Sequence, residues 1–271
     1  MKPVIINVDD LGLSEPVNEA VIRLAQMQRI QAASYMSQGS ISAHAVRELH
    51  NLNIDIGLHL DLTGFNCVGS LKHILLNSYL HLWPRTKIQN IINQQLNQFE
   101  DTIGQKPDFV DGHQHVHQFP VIRDILIRTL QQRYDNTVAM RITKPVQKNF
   151  KALLIYHLGG RALKKILQKE HIAHNYAFAG VYDFNADVKQ LASKWRQWLG
   201  AIPSEGAVIM CHPAIPSTSW HDEIKIARER EWQWLSSDAF SQCWQEMRCF
   251  ATHWQTLIDK NDNHKSPQTS G

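Results

Sequence analysis

The sequence has little cysteine, and its cysteines are not arranged in pairs. Only 4 of the 271 residues are cysteine, at positions 67, 211, 243 and 249, so no CxxC motif occurs. This spacing argues against a zinc knuckle and against a redox-active dithiol, and it fits a reducing compartment. We interpret all four as small, buried apolar side chains.

The chain also lacks a strong charge excess and a long apolar run. Its 28 Lys and Arg residues nearly balance its 25 Asp and Glu residues, and no dense basic run with interleaved aromatic residues occurs. A nucleic-acid partner is therefore not expected. No apolar stretch approaches the ~20 residues that cross a bilayer. The apolar run Val4–Ile6 is too short for a secretory signal, because Asp9 and Asp10 follow soon after it. We expect a cytoplasmic protein without a membrane span.

What the chain does have is an ordinary globular composition and an alternation of strand-like and helix-like segments. Hydrophobic residues make up 43% and charged residues 20% of the chain, which allows a sizeable core. The run Pro3–Val8 predicts a buried strand, and Ser14 precedes a helix that continues to about Gln28. Further strands are predicted over 30–36, 54–60, from 109 onward, 139–142 and 207–211, and helices over 43–52, 88–103 and 120–132.

This alternation predicts a parallel sheet covered by helices, either a TIM-like (β/α) barrel or an open doubly wound sheet. No internal repeat and no linker divides the chain, so we expect one domain over residues 1–258. Residues 64–87 and 170–185 show no clear periodicity, and we expect irregular segments there that cover a site. The polar segment 259–271 is expected to be disordered.

Four polar clusters lie where predicted strands end, which is where α/β folds place their active sites. The first is the pair Asp9 and Asp10, whose burial is costly unless a cation neutralises the two carboxylates. Taken alone, Asp10 could equally cap a turn. Two others are single histidines, His59 inside an apolar run and His212 at the end of one. Either histidine alone could be a hydrogen-bonded core residue or a turn residue.

The segment 111–117 is the strongest of the four clusters. It has Asp111, His113, His115 and His117 at alternate positions, so in an extended chain these side chains would line one face of a strand. Imidazole is a common metal ligand, and Asp111 could orient an imidazole from behind. The alternative is a solvated, polar strand face. We interpret the segment as part of a metal site.

Together the clusters offer two imidazoles and a carboxylate for a metal, with one carboxylate and one histidine to spare. A site with three protein ligands leaves positions open for water and substrate, which is the pattern of a catalytic metal. Histidine combined with carboxylate favours zinc, cobalt, manganese or iron, whereas magnesium ordinarily prefers oxygen ligands. The spare histidine would suit proton transfer near neutral pH.

Four short segments resemble the YdjC/ChbG family of carbohydrate deacetylases. They are NVDDLGL at 7–13, GLHLDLT at 57–63, DGHQHVH at 111–117 and CHPA at 211–214. Weaker similarities are AHAV at 43–46, MRI at 140–142 and the spaced residues Arg230, Glu231, Leu235, Ser237 and Phe240. The resemblance implies a TIM-like (β/α) barrel, often dimeric, that deacetylates an N-acetylated carbohydrate. Two departures, Val8 and Leu11, exchange one apolar residue for another.

The resemblance also implies roles for individual residues. Asp10, His59 and His113 match the family's metal ligands, and the metal that the resemblance implies is magnesium. Asp9 matches the general base, which would take a proton from a metal-activated water. His212 matches the histidine that protonates the departing amine.

The remaining matches are with residues around these groups. Arg141 matches an arginine that holds the base in place, and Asp111 matches a residue at the end of its strand that would orient a ligand. His115 and His117 match family positions whose role stays open, either around the metal or towards the substrate. Two other functions stay open at this point: a phosphoesterase, which ordinarily needs a second metal, and a metal or sugar sensor without catalysis.

Overall fold

The computed structural model describes residues 1–65 and 68–256, in which strands and helices alternate. The strands are β1 (Lys2–Leu11), β2 (Ala32–Tyr35), β3 (Asp55–Leu60), β4 (Phe109–Gly112), β5 (Ala139–Met140), β6 (Phe178–Ala179), β7 (Ala207–Cys211) and β8 (Cys249–Ala251). The helices are α1 (Glu15–Gln26), α2 (Ala43–Asn51), α3 (Leu71–Tyr79), α4 (Arg85–Ile103), α5 (Ile122–Tyr134), α6 (Phe150–Ile155), α7 (Arg161–Lys169), α8 (Val188–Ala201), α9 (Lys225–Leu235) and α10 (Asp238–Glu246). A 3₁₀ turn over His113–Gln118 follows β4, and a π-helical turn over Tyr156–Gly160 separates α6 from α7.

The strands form one parallel sheet that curls into a distorted barrel. Their order is β5-β4-β3-β2-β1-β7-β6, and β8 pairs with β1 beside this path. The gap between β5 and β6 is spanned by two isolated parallel bridges, Met140 with His174 and Pro145 with Phe178. The predicted TIM-like (β/α) barrel is therefore confirmed, with distortion, in preference to an open doubly wound sheet.

Local sequence signals explain where several elements begin and end. Helix α1 has Ser14 at its N-cap position and Pro16 in its first turn, where a missing N–H costs nothing. The side chain of Ser42 accepts a hydrogen bond from the backbone N–H of Ala45 and so caps α2. Helix α4 ends at Gly104, whose φ of 82° is the left-handed conformation that glycine adopts readily. These signals fix helix ends, and the buried apolar faces of the helices then pack on the sheet.

The segment 64–87 is more regular than its sequence predicted. Helix α3 occupies Leu71–Tyr79 and is capped by the side chain of Ser70. The prediction of an irregular segment was wrong there because α3 buries only Ile74 and Ser78, too few residues to produce a visible helical period. The segment 170–185 contains only the two residues of β6 in regular structure, as predicted.

Other sequence predictions can be placed on the same structure. Cys211, Cys243 and Cys249 are buried free thiols, as predicted, whereas Cys67 lies outside the described residues. The segment 259–271, predicted to be disordered, also lies outside them, and the single domain over 1–258 stays a prediction. In the described part of the chain, no helix is both long enough and apolar enough to cross a membrane.

The barrel brings the carboxyl ends of its strands to one rim, and the polar clusters of the sequence lie there. His59 near the end of β3 is in register with Asp111 of β4, and Val8 of β1 is in register with Cys211 of β7. Asp9 and His212, which follow these last two residues, are therefore neighbours across the same rim. The sheet itself thus gathers residues that are up to two hundred positions apart.

Candidate active site

Asp10 is the centre of a three-residue cluster with His59 and His113. Its Oδ1 atom lies 3.3 Å from His59 Nε2 and 3.0 Å from His113 Nδ1. In the described residues these three side chains each offer one donor atom, and the three atoms all lie within 4.8 Å of one another. Asp10 has a φ of 68°, a rare conformation for a residue with a side chain. The surroundings therefore hold the backbone of Asp10 in this conformation.

His113 reaches Asp10 because the chain turns sharply after β4. The strand ends at Gly112, and Gln114 and His115 then adopt the left-handed region with φ of 51° and 60°. The predicted extended strand through 117 was wrong, and with it the prediction that the alternate residues share one face. This turn places His113 beside Asp10, whereas His115 and His117 contact other parts of the protein.

His115 and His117 are buried, and their ring contacts are with Phe178 and with the backbone of Arg141 rather than with Asp10. The Nε2 atom of His117 donates to the backbone carbonyl of Arg141 at 2.9 Å. His115 packs edge-on against the ring of Phe178, with the ring centroids 5.8 Å apart. Burial, together with the nearby Arg141 charge, lowers the pKa of His115 well below its usual value and that of His117 to about 4. Both rings are therefore neutral, and neither belongs to a group of candidate metal ligands among the described residues.

Asp111 orients His59 from behind. Its Oδ1 lies 2.6 Å from His59 Nδ1, and its Oδ2 accepts a hydrogen bond from the hydroxyl of Ser34 at 2.6 Å. With Nδ1 donating to this carboxylate, Nε2 of His59 is left to face Asp10. A carboxylate behind a histidine is the arrangement that fixes the tautomer of a metal-binding imidazole. Burial by itself would lower the pKa of His59, but Asp111 and Asp10 raise it to about 10.

Asp9 is held by Arg141 through two parallel hydrogen bonds. Nη1 of Arg141 donates to Asp9 Oδ1 at 2.6 Å and Nη2 donates to Asp9 Oδ2 at 2.8 Å. The Asn7 amide adds a third hydrogen bond to Asp9 Oδ1 at 2.7 Å. Burial raises the pKa of Asp9, but the Arg141 guanidinium outweighs this effect and holds that pKa well below its usual range. Nη1 of Arg141 also lies 2.9 Å from Asp111, so it bridges two carboxylates.

His212 faces Asp9 from the end of β7. Its Nε2 lies 3.9 Å from Asp9 Oδ2, and its ring packs edge-on against Phe184 with centroids 5.4 Å apart. Its backbone N–H donates to the buried carboxylate of Glu231, which also accepts a hydrogen bond from the Tyr182 hydroxyl at 2.6 Å. Burial raises the pKa of Glu231. The structure thus brings His212 to the same rim as Asp9 and fixes its backbone through α9.

Arg228 of α9 and Asp222 of the loop before this helix belong to the site but were not predicted from the sequence. Nη2 of Arg228 donates to Asp10 Oδ2 at 2.7 Å, and its Nε lies 3.2 Å from Asp222 Oδ1. Arg230, which the sequence resemblance had singled out, instead donates to the backbone carbonyl of Ala186 at 3.1 Å. A sequence signal did exist: Arg228 and Glu231 lie three residues apart on the helix face that buries Ala227, Trp234 and Leu235. Charged residues on a buried helix face need partners.

The charges of the site fit a divalent cation. Three buried carboxylates, those of Asp9, Asp10 and Asp111, face the guanidinium groups of Arg141 and Arg228. With neutral imidazoles the sum is one negative charge, which a bound cation would offset. Two imidazole nitrogens and a carboxylate oxygen are donors that suit zinc, manganese, iron or cobalt. The residues present therefore fit a metal ion at Asp10, His59 and His113.

A second group of candidate metal ligands shares His59 with the first group. Among the described residues, Asp9, His59 and Asp111 also offer donor atoms within 4.8 Å of one another. Nη1 of Arg141 lies 2.6 Å from Asp9 and 2.9 Å from Asp111, so a cation there would face a fixed positive charge. The geometry therefore favours one metal ion rather than two.

Comparisons with known proteins identify the family of the chain. A family model described as YdjC-like protein matches residues 3–246. A chitooligosaccharide deacetylase from Enterobacter sp. (strain 638) is 28% identical over 159 residues, which cover 54% of this chain and only 61% of that protein.

Two solved structures share the fold. The crystal structure of a candidate cellobiose-phosphate cleavage protein from Enterococcus faecalis V583 matches with a TM-score of 0.71 at 17% identity, over 94% of this chain and 98% of that one. The Bc1960 peptidoglycan N-acetylglucosamine deacetylase matches with a TM-score of 0.54 at 9% identity, over 95% of this chain and 88% of that one. At such identities the likeness is one of fold.

Proposed function

The chain belongs to the YdjC-like protein family, and from its site we propose that it is a metal-dependent hydrolase that removes an acetyl group from an N-acetylated sugar. The observation that carries this proposal is the pairing of two sets of groups at one rim. Asp10 Oδ1 faces the ring nitrogens of His59 and His113, and beside it Asp9 lies between Arg141 and His212. The first set can hold a cation, and the second can move protons.

The comparisons support the choice of reaction. The similar Enterobacter protein is named a chitooligosaccharide deacetylase, although the match covers 61% of its length. The Bc1960 protein, similar in fold, is named a peptidoglycan N-acetylglucosamine deacetylase. Both names describe the removal of acetyl groups from N-acetylated sugars, which is the substrate class we propose here.

The chain's own residues would divide the reaction between a base and an acid. A divalent cation at Asp10, His59 and His113 would supply Lewis-acid chemistry: it would acidify a bound water, polarise the acetyl carbonyl and stabilise developing negative charge. Asp9 would accept the proton of the attacking water. Its lowered pKa keeps it ionised but makes it a weak base, so the water must be acidified for the transfer to proceed. The two hydrogen bonds from Arg141 would keep the Asp9 oxygens in a fixed orientation towards the attacking water.

His212 would act on the other side of the scissile bond. As an imidazolium it would donate a proton to the sugar nitrogen, because an amine leaves poorly without one. Its Nε2 lies 3.9 Å from Asp9 Oδ2, so acid and base would flank the same small space. The ring of Phe184 and the Glu231 contact to the His212 backbone limit where this imidazole can move.

Several finer points belong to the same proposal. The ligand set favours zinc or another transition metal, and the family resemblance implies magnesium; elemental analysis of the purified protein distinguishes them. A cytoplasmic location and a homodimer are further predictions, tested by fractionation and by light scattering.

Two other functions make different predictions for the same measurements. A two-metal phosphoesterase would bind two cations per chain, at a place where Arg141 already bridges Asp9 and Asp111. A non-catalytic binding protein would have no need of Asp9 and His212, yet both lie at the rim beside the candidate ligands.

The deciding experiment measures metal content and acetate release together. The protein is purified without chelator and its metal stoichiometry is determined. Acetate release is measured with N-acetylglucosamine and diacetylchitobiose, and phosphate release is measured with a phosphomonoester panel. We expect about one divalent cation per chain, the number a single catalytic site holds, and acetate from at least one N-acetyl sugar. Phosphate release with two cations per chain, or no release of acetate from any N-acetyl sugar, would count against the proposal.

A further inference from the structure

Arg228 is a buried cation that reaches a carboxylate on each side. Nη2 donates to Asp10 Oδ2 at 2.7 Å, while Nε and Nη2 lie 3.2 and 3.3 Å from the two oxygens of Asp222. Only 2% of Arg228 is exposed. A buried guanidinium with a planar fork of donors fixes the orientation of the carboxylates that it binds. Arg228 therefore links Asp10 on β1 to Asp222, in the loop between β7 and α9.

The two oxygens of Asp10 have different partners. Oδ1 faces His59 Nε2 and His113 Nδ1, whereas Oδ2 accepts the hydrogen bond from Arg228. One oxygen is thus left to face the imidazoles, and the other is occupied by a fixed donor. The backbone of Asp10 adopts a rare positive φ of 68°, which persists only where surrounding contacts hold it. Among the described residues, Arg228 is the only arginine or lysine within ion-pair distance of Asp10.

We propose that Arg228 is a positioning residue of the candidate metal centre. It holds Asp10 so that Oδ1, the oxygen that faces His59 and His113, would be the one left to bind a cation, and it ties this carboxylate to the loop through Asp222. This inference rests on the proposed function, because it assumes that Asp10, His59 and His113 bind a divalent cation. It adds a residue outside the three ligands, and it makes cation affinity depend on a loop residue that does not contact the cation.

Two effects of Arg228 on cation affinity have opposite signs. Its positive charge repels a divalent cation, so charge alone predicts tighter binding when the arginine is removed. Its hydrogen bond orients Asp10, so positioning predicts weaker binding when the arginine is removed. Residues that orient a metal ligand commonly contribute about 10- to 100-fold in affinity. Removal would also leave Asp10 Oδ2 buried without this donor. The sign of the change therefore separates the two effects.

The test measures the affinity of the metal-free full chain for Mn²⁺ by isothermal titration calorimetry. R228M keeps most of the side-chain volume and removes the donors, and we expect its affinity to fall by about 10- to 100-fold. R228K keeps the charge but replaces the planar fork of donors with a single ammonium group on a shorter side chain. Its affinity should therefore lie between those of the wild type and R228M. D222N leaves Arg228 in place and removes the negative charge of its anchor, while the remaining amide oxygen can still accept from the backbone N–H of Ile224. Its affinity should fall by less than that of R228M. E223Q, a matched change of charge at the exposed neighbouring residue, should bind as the wild type does.

The outcomes separate failure of this inference from failure of the proposed function. If the wild-type chain binds no divalent cation, the proposed function itself is wrong. If the wild type binds Mn²⁺ and both R228M and D222N bind it as tightly or more tightly, the positioning role is overturned. Circular dichroism of the metal-free variants checks folding, and if R228M does not fold, D222N against E223Q decides the question. The rate of acetate release by R228M and D222N at increasing Mn²⁺ concentration gives a second readout. Excess Mn²⁺ should restore a rate that is low because of weak cation binding, whereas it would not restore one that is low because of a structural defect.

Discussion

Cation binding at His59 should release a proton, and that proton can be counted. The ring lies between the carboxylates of Asp10 and Asp111, and although burial lowers its pKa, these carboxylates raise it to about 10. In the cation-free chain Nε2 therefore carries a proton at about pH 8.5, and a cation must displace it to bind. The proton on His59 Nε2 also offsets the single negative charge that the site has without a cation. A proton and a cation therefore compete for this nitrogen.

The expected size of the effect follows from the pKa. A histidine with a pKa near 10 is almost fully protonated at about pH 8.5 and should release roughly one proton per bound cation. A histidine of ordinary pKa would release only about 0.01 proton at that pH. Because the proton competes, cation affinity should fall about tenfold for each unit that the pH drops below roughly 9. Raising the pH should strengthen binding until His59 loses its proton.

The assay is calorimetric titration with Mg²⁺ or Mn²⁺ in two buffers of different ionisation enthalpy. Zn²⁺ is avoided because water bound to zinc ionises near neutral pH and would add its own proton. Asp111→Asn removes a carboxylate that raises the His59 pKa, so proton release should fall clearly below one. Asp108→Asn, just before the same strand, is the control. Burial raises the pKa of Asp108 to about 6, so this carboxyl is also ionised at the assay pH, but it is not one of the groups that raise the pKa of His59. Measurable binding with less than about 0.3 proton released by the wild type would refute the reasoning.

Three other predictions can be checked with single variants. Asp10→Ala should lose bound cation and nearly all turnover while the chain stays folded, and an unchanged metal content would contradict its role as a ligand. His212→Ala should keep the cation and lower the rate by about 10²- to 10⁴-fold, and a rate near that of the wild type would remove it from the mechanism. Gly57→Ala would place a Cβ 2.4 Å from the buried ring of Phe109, which should cost ~1–3 kcal/mol by overpacking and lower the melting temperature. Gly200→Ala is its control, because the nearest atom to the added Cβ lies 4.0 Å away.

The gathering of the site could be foreseen from where its residues lie along the chain. Asp9 and Asp10 end one apolar run, His59 lies inside a second run near its end, and His212 follows a third. Parallel strands in one barrel bring such ends to a single rim, so proximity followed from the fold class alone. The structure places His59 and His113 beside Asp10 and places Arg141 on Asp9. The roles of these residues stay predictions until the variants are measured.

Two features could not be read from the sequence for identifiable reasons. The alternation over 111–117 has the period of a strand, but Gln114 and His115 adopt positive φ and end the strand at Gly112. A sequence pattern that repeats every two residues cannot distinguish a continuing strand from a turn. Here the turn leaves His113 beside Asp10 and buries His115 and His117 away from it. The contact between Arg228 and Asp10 joins residues 218 positions apart. Such a contact depends on how α9 packs on the barrel, which no local pattern in the sequence describes.

The pairing of β1 has a consequence for how the chain is made. Val4–Val8 pair with β7 from Ala207 onward, and Lys2–Val4 pair with β8 from Cys249 onward. During synthesis, the strand that bears Asp9 and Asp10 thus leaves the ribosome about two hundred residues before the strands β7 and β8 that complete its hydrogen bonds. Contacts of such sequence separation are slow to form and leave apolar strands exposed meanwhile. A slower translation rate would therefore lengthen the time for which β1 lacks its partners on this side.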